Sequence, residues 1–419
     1  MVVRRKAAAG ASVLVVVDQP SLALCALADD LFSRLAAGVD RKRAMKAADE
    51  VRYRATLLAF TAAVARIALA QVPPFNGVSV SFDERRYANT KISPTHSRTI
   101  RDGLSSLGFI VLGRGFYNKA APKKSFATRV RHTSEFADLA REHGLRLNDL
   151  FRPPAEVIAL KNAEEVAVPD DVRASESILH RYNCFIRQFD LTLPRDAWQE
   201  LTALIIKGRG TNGKGWKLHK GYDDSRIYLV RRFSESYERG GRHYDGFWQN
   251  MPKAIRQRLL IDGEATVELD FSRIHPTIIF ADKGLTLDID PYDVPGFPNM
   301  EAAGKETFNR LLNSRRKIAF RNRKDRKWFA DKEEFNRYRD AMIAHLSPIK
   351  DTFQRDYGAR LQKRDGELAL NILSRCMDEG FPVYPVHDSF IVRVSDRDRL
   401  HRIMDEEFVD MFKVRCTIK

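Results

Sequence analysis

Apolar residues recur with two different periods along the chain, and each period predicts a different element. Residues 55–72 are apolar apart from Arg66, which is typical of a core helix with no charge-free run long enough to span a bilayer. Residues 265–269 (ATVEL) predict a buried strand. Two β-rich runs within residues 381–394 (FPVYPVHDSFIVRV) predict a hairpin with Asp388 at its tip. The chain is therefore predicted to be an α+β protein.

The first 150 residues carry a second recognisable pattern. Residues 13–17 predict a buried strand, and Ser93 precedes a predicted helix as its cap. Residues 107–112 (LGFIVL) then predict a strand, and residues 113–115 predict a tight basic turn. This order is typical of a winged helix, which places a helix in a DNA groove and a basic wing on phosphates. A helical cap with a hairpin and no ligand fits the same pattern.

The charge balance narrows the class of partner. The 419 residues include 71 Lys and Arg against 55 Asp and Glu, a formal charge of +16. An excess of this size indicates a polyanion, with nucleic acid ahead of an anionic membrane, although a solvated basic surface also fits. No two cysteines form a CxxC pair, so neither a zinc site nor a disulfide framework is indicated, and we expect a cytoplasmic protein.

Two segments in the middle of the chain have less specific patterns. Residues 152–171 are proline-rich and charged, and we interpret them as a linker. Residues 207–215 (KGRGTNGKG) have the glycine and lysine spacing of a phosphate-binding P-loop, but Gly215 stands where Ser or Thr would hold magnesium. A basic loop that contacts a nucleic-acid backbone is therefore favoured over a P-loop ATPase.

Two aspartates stand where strands end. Asp270 follows residues 265–269 and precedes a predicted helix with Pro276 in its first turn, and Asp388 occupies the hairpin tip. Pairing of the hairpin with the earlier strand would bring the two carboxylates together. Neighbouring carboxylates resist ionisation, and two divalent cations relieve that cost. The pattern therefore predicts a two-magnesium site suited to in-line displacement at phosphorus.

A helix predicted from Lys305 onward supplies a polar face. Phe308, Leu311 and Leu312 recur at helical spacing and would face the core. The opposite face is predicted to be lined by Lys305, Asn309, Asn313 and Arg316. Such a face could hold the triphosphate and base of a nucleotide. A solvated basic helix is the alternative.

Taken together, residues 230–415 resemble family A DNA polymerases and the related single-subunit phage RNA polymerases. LDFSRIHPTII (269–279) is similar to motif A, and VHDSF (386–390) is similar to motif C. Lys305, followed eight positions later by Asn313, resembles motif B. GGRHYDGFWQNMP (240–252) resembles the segment that contacts the primer-template minor groove.

The resemblance implies a right-hand polymerase. The palm, an antiparallel sheet, would comprise residues 236–300 and 361–419, and helical fingers would comprise 301–360. Residues 151–235 would be a linker with thumb-like helices, after a winged-helix-like domain at 1–150. The implied partners are primer-template DNA, dNTPs and two Mg²⁺ ions, for which Mn²⁺ could substitute. We expect a monomer with no membrane association.

The resemblance also implies roles for individual residues. Metal would be bound by the Asp270 and Asp388 carboxylates and the Phe271 carbonyl oxygen, with Lys305 on the triphosphate. The complete nucleotide-binding set is His275, Lys305, Asn309 and Asn313. The nucleic-acid-binding set is Arg242, Gln249, His387 and Arg316.

Departures from the family pattern leave alternatives open. His275 stands where the family packs a side chain against the sugar, and a bulky residue there favours dNTPs. A neutral imidazole could instead hydrogen-bond a 2′-hydroxyl, which would suit an RNA polymerase or primase. Glu301 and Asn313 replace the family's motif B arginine and tyrosine, and Ser389 replaces the acid of its DNA enzymes. A catalytically inactive DNA-binding initiator of the same fold is the third hypothesis.

Overall fold

The computed structural model describes residues 12–13, 20–38, 45–70, 78–79, 90–113, 129–150, 154–163, 166–210 and 226–419. Helices and β-sheets both occur throughout these ranges, so the predicted α+β class is confirmed. The chain divides into two compact units. Unit 1 comprises Met1–Arg152 and Trp198–Arg226, and unit 2 comprises Pro153–Ala197 and Ile227–Lys419.

Unit 1 packs helices against a small sheet with strand order β1-β2-β4-β3. Its helices are α1 (Leu22–Ala37), α2 (Ala47–Leu69), α3 (Pro94–Ser106) and α4 (Ser134–Glu142). Its strands are β1 (Ser12–Val13), β2 (Val78–Ser79), β3 (Ile110–Gly113) and β4 (Arg129–His132). The predicted core helix is confirmed as α2, whose Leu57, Phe60 and Val64 are buried at helical spacing.

Local signals set the bounds of α3 as predicted. The Ser93 hydroxyl accepts a hydrogen bond from the His96 amide and so caps the helix. The helix ends at Ser106, and beyond it Gly108, with a φ of +80°, lets the Phe109 amide turn back to the Leu104 carbonyl. Strands β3 and β4 then pair antiparallel. Residues 114 and 115 of the predicted basic turn and residues 14–17 of the first predicted strand lie outside the described residues, and the winged-helix assignment stays a prediction.

Unit 2 contains a five-stranded sheet of order β11-β12-β10-β9-β6 and a three-stranded sheet of order β5-β7-β8. The five-stranded sheet comprises β6 (Leu191–Thr192), β9 (Leu260–Ile261), β10 (Glu264–Asp270), β11 (Tyr384–Val386) and β12 (Ser389–Arg393). The three-stranded sheet comprises β5 (Ile158–Lys161), β7 (Val230–Ser234) and β8 (Ser236–Tyr244). Strand β5 lies within the predicted linker, so that interpretation was wrong for residues 158–161: β5 pairs in parallel with β7.

Helices make up much of the described part of unit 2. They are α5 (Asp170–Phe185), α7 (Lys253–Arg256), α8 (Ile274–Asp282), α9 (Glu301–Asn313), α10 (Asn322–Asp325), α11 (Lys332–His345), α12 (Gly358–Asp378) and α13 (Arg397–Phe412). Helix α6 (Arg195–Gly210) passes from unit 2 into unit 1. Residues 207–210 of the predicted glycine-rich loop are therefore helical in their backbone, and residues 211–215 lie outside the described part of the chain.

Helix α12 packs directly on β8 because two glycines face each other. A Cβ added at Gly366 would collide with the carbonyl oxygen of Gly241. Only glycine at position 366 therefore permits this separation between the helix and the strand. None of the helices in the described part of the chain has the length and apolar character needed to cross a membrane.

Candidate active site

The two predicted catalytic aspartates lie side by side because of strand register. Strand β10 ends at Asp270, and β12 pairs with it antiparallel so that Asp270 stands opposite Ser389. Strands β11 and β12 form the predicted hairpin, with Val386 paired to Ser389 and a two-residue turn of His387 and Asp388 between them. The Phe271 amide donates to the Asp388 carbonyl oxygen at 3.4 Å, which ties the turn to the end of β10. The register therefore places both aspartates at one edge of the sheet.

The electrostatics of Asp270 reflect its neighbours. Partial removal of its carboxyl from water raises its pKa to about 6, and the negative charges of Asp388 and Glu268 contribute to the increase. Lys253 and Lys305 oppose the shift. Asp270 as a residue is exposed at the end of its strand, so solvent screening moderates these interactions. A cation bound here would favour the ionised form.

Phe271 contributes its backbone rather than its ring. The ring is buried, with its centroid 5.3 Å from that of Phe408. Chain segments on both sides are fixed, because Asp270 exchanges backbone hydrogen bonds with Lys419 and the Ser272 amide donates to Thr417. Among the described residues, no backbone amide donates to the Phe271 carbonyl oxygen. That oxygen is therefore available as a ligand beside two carboxylates.

These oxygen donors fit a hard cation such as Mg²⁺, which keeps water and substrate oxygens in its remaining positions. Within the described ranges, no group of three or more His, Cys, Asp or Glu side chains is placed to hold a metal. The site would therefore depend on the Asp270 and Asp388 carboxylates, the Phe271 carbonyl, and oxygens from substrate.

Glu268 lies on the same face of β10 as Asp270, and the sequence analysis missed it. Its carboxylate accepts hydrogen bonds from Nε and Nη2 of Arg256, at 3.1 and 2.9 Å, and from the Ser389 hydroxyl at 2.7 Å. These bonds outweigh the effect of burial and lower the pKa of Glu268. Alternation along β10 was the available signal, because residues two apart share a face. The ion pair with Arg256 makes Glu268 a fixed negative charge beside Asp270.

A second cluster joins two predicted site residues through one that was missed. Asp365 on α12 is only 3% exposed. Each of its carboxylate oxygens accepts a hydrogen bond from Arg242 Nε at 3.0 Å, and His275 Nε2 lies 2.9 Å from Oδ2. Burial alone would raise the pKa of Asp365, but the bonds from His275 and Arg242 prevail and lower it. Asp365 occupies the apolar stripe of its helix with Leu361 and Leu368, and a carboxylate there signals a buried partner.

The side chains of Gln249 and His387 both make contacts within the protein. The Gln249 amide nitrogen donates to the His243 and Pro385 carbonyls at 3.1 and 3.0 Å. Burial lowers the pKa of His387, and the positive charge of Arg242 lowers it further. The His387 ring packs edge-to-face on Tyr244, and its Nδ1 is buried without a hydrogen-bond partner among the described residues. Their nucleic-acid roles stay predictions.

Helix α9 presents Lys305, Asn309 and Asn313 on one exposed face at four-residue spacing. Lys305 Nζ lies 2.7 Å from the Glu301 carboxylate one turn earlier. The predicted extension of this face to Arg316 was wrong, because the helix ends at Asn313 and Ser314 has an extended backbone with ψ of 145°. Arg316 lies in the following loop and is exposed.

Comparison with known proteins adds little to this geometry. No protein-family model matches the sequence, and no curated protein matches it. Among solved structures, one similar chain is the POL domain of Pol1 from M. smegmatis in complex with DNA primer-template and dNTP. It is 14% identical, with 85% of this chain and 80% of that chain covered and a TM-score of 0.34. A likeness at that score supports no conclusion about fold or activity.

Proposed function

We propose that this protein is a template-directed nucleotidyltransferase, a compact DNA polymerase that adds dNTPs to a primer 3′ end. The observation that supports the proposal is the pairing of Asp270 with Ser389, since the adjacent residue, Asp388, acts on Asp270 with its negative charge and accepts a hydrogen bond from the Phe271 amide. The right-hand division into palm, fingers and thumb-like helices belongs to this proposal, as do the monomeric state and cytoplasmic location.

The chain's own residues would act by binding and orientation. Asp270, Asp388 and the Phe271 carbonyl would hold two magnesium ions. When bound, these ions would lower the pKa of the primer 3′-hydroxyl and stabilise the departing pyrophosphate. Lys305 would neutralise charge on the triphosphate, and Asn309 and Asn313 would extend the same surface toward the nucleotide. The attacking oxygen forms its bond to the α-phosphorus as the bond to pyrophosphate breaks, and the hydroxyl proton leaves to solvent.

His275 would discriminate between the deoxyribose of a dNTP and the ribose of an rNTP. Its ring is half-buried and hydrogen-bonded, so a 2′-hydroxyl directed at it would meet a group with little freedom to move away. This supports dNTPs over rNTPs as the substrate.

Primer extension tests the proposal directly. Purified protein would receive a labelled primer on a DNA template with Mg²⁺ and either dNTPs or rNTPs. Asp388→Asn, which keeps the side-chain shape, should reduce extension by about a thousandfold or more, because metal ions supply several kcal/mol of transition-state stabilisation. Asp398→Asn is the matched control, since the Asp398 side chain is 91% exposed on α13 and pairs with the neighbouring Arg397.

The alternatives give distinct results in the same assay. Products with rNTPs alone, or without a primer, would favour the RNA polymerase or primase hypothesis. Binding of DNA without extension under any condition would favour the inactive initiator. ATP hydrolysis independent of Asp388 would favour the P-loop hypothesis, whose Gly213 and Lys214 lie outside the described residues.

A further inference from the structure

We propose that Asp365 is a positioning residue for substrate choice: it holds His275 and Arg242 on one carboxylate, so that sugar discrimination depends on this shared anchor. The inference rests on the proposed function and adds to it a residue and a coupling. Asp365 belongs to neither the metal site nor the triphosphate surface.

The first step in the argument is the shared oxygen. His275 Nε2 lies 2.9 Å from Asp365 Oδ2, and Arg242 Nη2 donates to that same oxygen. Arg242 Nε adds a contact of 3.0 Å to each oxygen of the carboxylate. A movement of either side chain therefore changes the hydrogen-bond geometry of the other.

The second step concerns the histidine proton. A carboxylate only accepts hydrogen bonds, and the lowered pKa of Asp365 keeps it ionised. Nε2 of His275 must therefore carry a proton, which fixes one end of the ring. Arg242 Nη2 lies 3.4 Å from the same Nε2, and both atoms direct their protons at Asp365.

The third step concerns rigidity. A steric clash discriminates between sugars only as strongly as the blocking group resists displacement. A ring that could swing away would admit a 2′-hydroxyl at little cost. The charge-assisted bond to buried Asp365 lowers the population of the displaced ring by a factor of about ten or more. The packing of Gly366 on Gly241 fixes the backbone beside both partners, so the anchor itself cannot shift.

The test measures selectivity and proton position separately. Asp365→Asn should lower the ratio of kcat/KM for dNTP over rNTP by about tenfold or more. His275→Ala should lower that ratio similarly, and the double variant should lose no more than the larger single loss. Arg375→Gln on the same helix is the matched control, since Arg375 pairs with Glu406 and Glu407 outside the cluster, and it should leave the ratio unchanged.

The second readout is ¹⁵N NMR of labelled histidine, with His275→Gln to assign the signal. The wild-type protein should show Nε2 of His275 protonated, and a signal from an unprotonated Nε2 would overturn the proposal.

If the Asp365→Asn protein does not fold, the Arg242→Lys protein is measured in its place. Lysine cannot hold the carboxylate through a planar fork, so selectivity should fall. Unchanged selectivity in a folded Asp365→Asn or Arg242→Lys protein would also overturn it. Absence of any extension by wild type would instead refute the proposed function, and the NMR result would still stand.

Discussion

Replacement of Asp270 by Asn should stabilise the metal-free protein in a pH-dependent way. The folded state raises the pKa of Asp270 from 3.8 to about 6. A carboxyl with a raised pKa favours folding while it is protonated. Its contribution is complete below pH 3.8 and is lost as the pH rises through about 6. Above that pH the ionised Asp270 lowers the free energy of unfolding, and a neutral amide of the same shape does not.

The size of the effect follows from the shift. A difference of about two pKa units corresponds to a ceiling of about 3 kcal/mol. Asp270 is exposed, so solvent screening reduces the expected gain to about 1 kcal/mol. For a folding unit of this size that gain raises the melting temperature by about 2–4 °C.

Thermal melts from pH 4 to pH 8 in a chelator measure this effect. The Asp270→Asn protein and wild type should melt together near pH 4, and the variant should melt higher by about 2 °C at pH 8. Added Mg²⁺ should raise the melting temperature of wild type alone and close the gap. A gap that does not change with pH, or a variant that is less stable at pH 8, would refute the electrostatic reasoning.

Two further substitutions have defined outcomes. Gly366→Ala should reduce the free energy of unfolding by about 1–3 kcal/mol, measured by urea denaturation, because its methyl group collides with Gly241; an unchanged midpoint would contradict the close packing of α12 on β8. Glu301→Gln should lower KM for dNTP by up to about fivefold with kcat unchanged, because it releases Lys305 from an exposed ion pair; a raised KM would show that Glu301 assists binding. Glu306→Gln on the same helix is the control for the second measurement.

Local signals allowed much of the secondary structure to be predicted. Ser93 caps α3 through a hydrogen bond from the amide of His96, three residues later, so the cap can be predicted from the sequence. The hairpin at Asp388 follows from two β-rich runs and a short turn between them. Asp270 could be singled out because an acid ends a predicted strand, although only Leu269 of residues 265–269 is buried. In each case the determining contacts lie within a few residues along the chain.

Contacts between distant segments were not predictable in the same way. Strand β5 is a short apolar run within a proline-rich and charged stretch, and its parallel partner β7 lies about 70 residues further along the chain. The end of α9 at Asn313 coincides with hydrogen bonds from the later Gln354 amide to Leu311 and from the Asp356 amide to Ser314. Propensity is a weak guide where such tertiary contacts compete with it.

For the candidate site, the sequence by itself singled out Asp270, Asp388 and His275, because each stands in a recognisable local pattern. Only the tertiary structure decided what those residues touch. Sheet register sets Ser389 against Asp270 and Glu268, and the close approach of α12 to β8 joins Asp365 to Arg242 and His275. The physical reason is that a buried charged side chain requires a compensating partner. Packing of the backbone, rather than proximity along the chain, brings that partner into contact.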